Sequence, residues 1–297
     1  MMVDGPIPER VLTLAAAATI FCVMLTLGLG IVVREVRWVG RNPGLVARAL
    51  FAVLVAVPTL ALLVVRSLAL PRAAQLGIVL MAIAPGAPVA LRRSLGAGGH
   101  RAFAPVLQIL VALLAAASMP LSIAALVALY SGEARLAPQD VAMQVFKAQL
   151  LPLGVGMLTR HFAPAVAARL EPTLGKIAGA LLILLVLLVA VDVAPVLVRA
   201  NWRVVVAIVL VTLLAVASGH LLGGPEPATR TAVAVCSAAR NPGLALLVAT
   251  QNAAPPAVVA TIFVYLIVSA LTLIPYVIYS RALAAAAAGS HLRSART

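Results

Sequence analysis

Apolar runs of about twenty residues follow one another along almost the whole chain, and each is long enough to cross a ~30 Å hydrocarbon core. They occupy 11–33, 45–65, 72–95, 103–130, 139–160, 173–197, 202–222, 228–251 and 256–281. A segment inside lipid must satisfy its own backbone N–H and C=O groups, which leaves helices as the solution for runs of this length. The expectation is an all-α polytopic membrane protein with nine transmembrane helices. Only 10% of the 297 residues are charged, against about 25% in a soluble domain. The connections are short, so no extramembrane domain has room to fold.

The first run is too long for a signal-peptide core, and Asp4 and Glu9 do not make a basic leader. It reads as a retained helix. The formal charge of +14 comes from basic residues scattered singly between apolar runs. It points to membrane topology and away from nucleic acid, which needs a basic patch or stripe. Nine crossings place the termini on opposite sides. One side carries six basic residues: Arg10, Arg66, Arg72, Arg135, Arg199 and Arg203. The other carries fourteen, among them Arg34, Arg37, Arg41, Arg92, Arg93, Arg101, Arg169 and Arg293. The richer side is expected in the cytoplasm, with the N-terminus outside and the C-terminus inside. Cys22 and Cys236 lie far apart in apolar stretches and read as free thiols. The tail from Ala284 is expected to fray.

Two runs are interrupted. The third reads "AQLGIVLMAIAPGAPVALRRSLGAG", with Pro85-Gly86 and Pro88 in its middle; the eighth reads "ATRTAVAVCSAARNPGLALLVATQNAA", with Pro242-Gly243. Proline removes a helix donor, and glycine admits backbone angles closed to other residues. Paired interruptions at matching places are the best sequence pointer to a transporter site, though two ordinary proline kinks are the plain alternative. Segments one to four and six to nine share one order: helix, helix, broken helix, long helix. An odd number of crossings separates the sets, so they form an inverted repeat. The word "RNPGL" occurs at Arg41–Leu45 and Arg240–Leu244. The copies do not correspond under the repeat: the first opens a segment, while the second breaks one at membrane depth.

At these breaks the chain resembles the bile acid:sodium symporter family. "LGIVLMAIAPGAPVALRRSLGAGGHRAF" is similar to the family's "GxxLxxxxPGGxxSNxxxxLAxGxxxLS", and "CSAARNPGLALLVATQNAAPPAVV" to its "ExGxQNxGLAxxLAxxxF". "ARALFAVLVAVPTLALLV" resembles the preceding helix, with a proline in the place of Pro58. The likeness runs from about residue 20 to 281. It implies a panel and a core domain, with two broken helices crossing at the core. The chain then reads as one transporter domain over 1–297. Residues 11–130 form a first repeat lacking its first helix, 139–281 the second, inverted repeat, and 282–297 a cytoplasmic tail.

The departures concern the ion site that the resemblance implies. The family's Ser-Asn pair is replaced by Ala90 and Leu91, its Glu by Cys236 and its Gln by Arg240; Asn241 is kept. A further glutamine, five residues before the helix proline, corresponds to Val53, and a polar pair on the next helix to Ala104 and Gln108. Sodium coupling is therefore not expected. Pro85, Gly86, Gln108, Cys236, Arg240, Asn241, Pro242 and Gly243 are the candidate binding residues at the crossover.

A charge at membrane depth is costly, which makes Arg240 a functional candidate. Its guanidinium either replaces the sodium charge among carbonyls freed by the breaks, or binds a substrate anion, or snorkels or pairs with Asp192. Asp192 and His220 are candidate charge or proton partners, or an interfacial acid and a hydrogen-bonded structural histidine. The four histidines are isolated and no metal-ligand spacing or nucleotide loop occurs, so no enzyme activity and no cofactor is expected. The reading is a secondary transporter or facilitator of a small organic anion in a bacterial inner membrane. The rivals are a metalloid efflux permease using Cys236 and a non-transporting membrane receptor on the same fold. The solute and the lipid bilayer are the expected partners, and the oligomeric state is open.

Overall fold

The computed structural model describes residues 9–30, 37–38, 40–86, 88–129, 138–198, 201–252 and 254–294. Every regular element among them is helical. We number the helices α1 (Glu9–Leu29), α2 (Pro43–Ser67), α3 (Arg72–Ile83), α4 (Pro88–Gly96), α5 (Phe103–Leu129) and α6 (138–162). α7 (Pro164–Val198), α8 (Trp202–Leu222), α9 (Pro227–Ala238), α10 (Pro242–Gln251) and α11 (Pro256–Ser294) follow.

Six spans among the described residues are long and apolar enough to cross a membrane, and Leu14–Leu29 and Arg72–Ile83 are shorter apolar helices. The molecule is an integral membrane protein. α1 packs along α6 and α7, while α8 packs against α9, α11 and α2, and α3 against α11. The first group meets the second where α1 crosses α10 and α6 meets α5. Close approach of α1 to α6 depends on Gly28 and Gly156, since a Cβ on either would overlap a carbonyl of the other helix, Leu153 or Leu25. This is small-residue packing of the membrane kind. Gly154, its near neighbour in sequence, faces open space.

Burial separates the eighth apolar run from the others. The span Pro227–Gln251 is wholly buried, whereas the other five candidate spans bury 33–44% of their apolar windows. A helix with an interruption has backbone groups that lipid cannot satisfy, so it must be wrapped in protein. The C-terminal stretch departs from expectation. α11 continues through the alanines after Leu283 to Ser294 rather than fraying, because alanine is the best helix former and five of them run together.

Two short π-helical stretches sit inside otherwise α-helical spans, Ala52–Ala56 in α2 and Phe146–Leu150 in α6. Each is followed by one residue and then a proline, Pro58 or Pro152. The proline has no N–H to return the ladder to its normal register, so the carbonyls one turn earlier lose their partners.

Candidate functional site

Both predicted interruptions are present. The first leaves Ala84, Pro85 and Gly86 outside helix between α3 and α4, and the second leaves Ala239, Arg240 and Asn241 between α9 and α10. The backbone joins them: the Asn241 N–H donates to the Ala84 carbonyl at 3.0 Å. Helix breaks expose donors and acceptors, and here each break satisfies one group of the other.

The two are built differently. Gly86 takes φ +82°, a conformation that strains any residue with a Cβ. Gly243 lies inside α10, so the sequence expectation that it too supplies unusual backbone angles does not hold. Its lack of a Cβ serves closeness instead, because a Cβ there would lie 3.0 Å from Ile20 Cγ1 on α1. The two copies of "RNPGL" also prove more alike than their depths suggest. Asn42 and Asn241 each stand at a helix N-cap with proline at the first helical position. Only Asn241 caps with its side chain, Oδ1 accepting from the Leu244 N–H at 3.1 Å.

Arg240 is 4% exposed, so it does not snorkel. Its Nη1 donates to the Val53 carbonyl at 3.0 Å, and Nε and Nη2 have no hydrogen-bond partner. The reason that Val53 can accept lies in α2. The π-helical register sends the Val57 N–H to Ala52 O, and the next residue, Pro58, has no N–H to offer Val53. The freed carbonyl points a lone pair into the core, and the guanidinium takes it. Tyr265 and Cys236 lie within electrostatic reach of the same charge, and Tyr265 is fully buried.

Gln108 and Cys236 meet across α5 and α9, the thiol donating to Gln108 Oε1 at 3.9 Å. Gln108 also flanks the first break, with Nε2 3.6 Å from where a Gly86 Cβ would stand. Beside it is a residue the sequence reading passed over. Gln149, in the π-helical stretch of α6, is fully buried; its Nε2 lies 3.5 Å from the same point and neither of its amide atoms has a partner. The available signal was only a proline deep in each apolar run, Pro58 and Pro152, which opens the backbone ladder one turn earlier. Ala90 and Leu91 contribute no polar side chain, Ala90 being buried against Ala239.

His220 is not brought to the breaks. Its Nδ1 is 2.9 Å from Tyr276 Oη, and Tyr276 stands eleven residues beyond Tyr265 on α11, roughly 16 Å along the helix. Asp192 is on α7, but its side chain lies outside the described residues.

A sequence model of the Sodium Bile acid symporter family matches residues 17–200, most of the chain. The protein belongs to this family. The match spans α1 to α7, includes the first break, and stops short of the second. A search among curated proteins finds no match. Membership makes the protein a transporter of the bile acid or organic anion type, set in lipid and acting on a small solute.

Proposed function

We propose that the protein is a secondary transporter or facilitator of a small organic solute carrying an anionic group, working by alternating access and without sodium. In this reading nine spans cross the membrane, α3–α4 and α9–α10 each counting as one broken span. Residues 11–130 and 139–281 are inverted repeats within a single domain, the first lacking its opening helix. α1, α6 and α7 act as a panel and the remaining helices as a core. The N-terminus lies outside a bacterial inner membrane, and 282–297 lies in the cytoplasm, as the six-to-fourteen distribution of basic residues suggests.

One observation carries the sodium-free part. Arg240 holds the Val53 carbonyl, and Arg240 and Val53 occupy positions where the family resemblance places two ion-site glutamines. The guanidinium thus supplies a fixed positive charge to a region that relatives fill with a diffusible one. At an effective dielectric of ~20, a second unit charge ~4 Å away is repelled by about 4 kcal/mol, enough to prevent occupation at ordinary concentrations. Pro85, Gly86, Gln108, Gln149, Cys236, Asn241, Pro242 and Gly243 form the crossover that rearranges as the core moves.

Uptake into proteoliposomes tests the reading. Saturable entry of small organic carboxylates is expected. Arsenite entry instead, lost in Cys236→Ala, favours the metalloid permease, and entry of neither favours a receptor.

A further inference from the structure

A cleft of about 230 Å³ lies between α1, α4, α5 and α7. Leu27, Ile109 and Leu182 supply much of its apolar lining, and two charged residues line it as well, Arg92 from α4 and Glu171 from α7. These two do not pair. Arg92 Nη2 donates to the Gly175 carbonyl at 3.4 Å, and Glu171 has no ion-pair or hydrogen-bond partner among the described residues. The carboxylate lies beside Gly30, Oε1 being 3.5 Å from where a Cβ of that residue would stand.

We infer that the transported solute is a small zwitterion of the α-amino acid kind, with its carboxylate on Arg92, its ammonium on Glu171 and a short apolar side chain against Leu27, Ile109 and Leu182. The inference rests on the transporter reading above and names the solute class for it. A simple organic anion would engage Arg92 but set a second negative charge in one cleft with Glu171. A simple amine would meet the converse conflict with Arg92. A molecule carrying both groups satisfies both walls, and unpaired like charges are what separates it from its analogues. The volume corresponds to roughly eight water molecules at ~30 Å³ each. That suits a solute of amino-acid size.

The test uses the purified full-length protein and two matched probe sets. One is leucine, isocaproate and isoamylamine; the other is phenylalanine, hydrocinnamate and phenethylamine. Binding is followed by calorimetry, and uptake is measured in proteoliposomes. In the native protein one of the two amino acids should bind about tenfold more tightly than its deaminated and decarboxylated partners. Glu171→Gln should erase the preference over the carboxylate, and Arg92→Gln the preference over the amine. A substitution that only damages packing lowers all affinities together and leaves both ratios unchanged, which would contradict the assignment of these residues. Carboxylate binding as tight as that of the amino acid overturns the zwitterion inference while leaving the transporter reading intact. Failure of all six probes to bind or enter, in protein that does carry larger organic anions, likewise overturns only the inference. Absence of transport for every solute overturns both.

Discussion

At the first break the chain turns on Gly86 at φ +82° and carries no polar side chain of its own; Gln108 and Gln149 come to it from α5 and α6. At the second break the flanking residues keep ordinary angles, Ala239 at φ −80° and Asn241 at φ −91°. There the polar groups belong to the break itself, in Arg240 and Asn241. The first break is therefore an economy of backbone and the second an economy of side chains. The difference teaches where each is vulnerable: one to any Cβ, the other to loss of particular functional groups.

The largest expected effect is at Arg240. Replacing it by Leu removes a buried charge that has one neutral hydrogen-bond partner, and burying such a charge costs several kcal/mol. We expect the melting temperature in detergent to hold or rise while uptake falls at least tenfold. A fall in both would mean that the charge is mainly structural and that the two breaks depend on their parts in the same way.

Next comes the contrast between the glycines. Gly86→Ala forces a Cβ into the left-handed region at a cost of about 1–2 kcal/mol. Gly243→Ala presses only on the Ile20 side chain, which can shift, so its cost should stay below ~1 kcal/mol. Thermal unfolding of the two variants side by side checks the order. Equal losses would erase the distinction.

A smaller effect is expected at the caps. Asn241→Ala removes the bond to the Leu244 N–H and should cost about 1 kcal/mol. Asn42→Ala, in the matching word "RNPGL", removes no cap bond but loses the Nδ2 donation to the Trp38 carbonyl at 3.0 Å, so its cost should be the smaller, about 0.5 kcal/mol. Equal destabilisation would mean that the copies work alike after all.

Both interruptions were legible because proline and glycine act on the backbone wherever they stand, and the family resemblance was legible in the residues around them. Val53 was not. Its side chain is apolar, and its contribution is a carbonyl released by a π-helical register ahead of Pro58, which residue type does not encode. Gln149 was overlooked because α6 opens the second repeat and has no counterpart in the first, so no symmetry argument reaches it. The different duties of Gly86 and Gly243 depend on dihedral angle and on the nearness of Ile20, and only tertiary structure supplies these. The cleft between Arg92 and Glu171 joins α1 and α7 to the consecutive pair α4 and α5, so no single motif marks it.

The central claim is that a tethered guanidinium has taken the place of a diffusible cation at the second break. Sodium titration of transport at constant ionic strength, with choline as the replacement, tests it most directly. A flat response across the physiological range is expected in the native protein. Arg240→Gln should weaken solute affinity, or hold one conformation, without introducing sodium dependence. Saturable sodium activation of the native protein, abolished by Asn241→Ala, would contradict the claim.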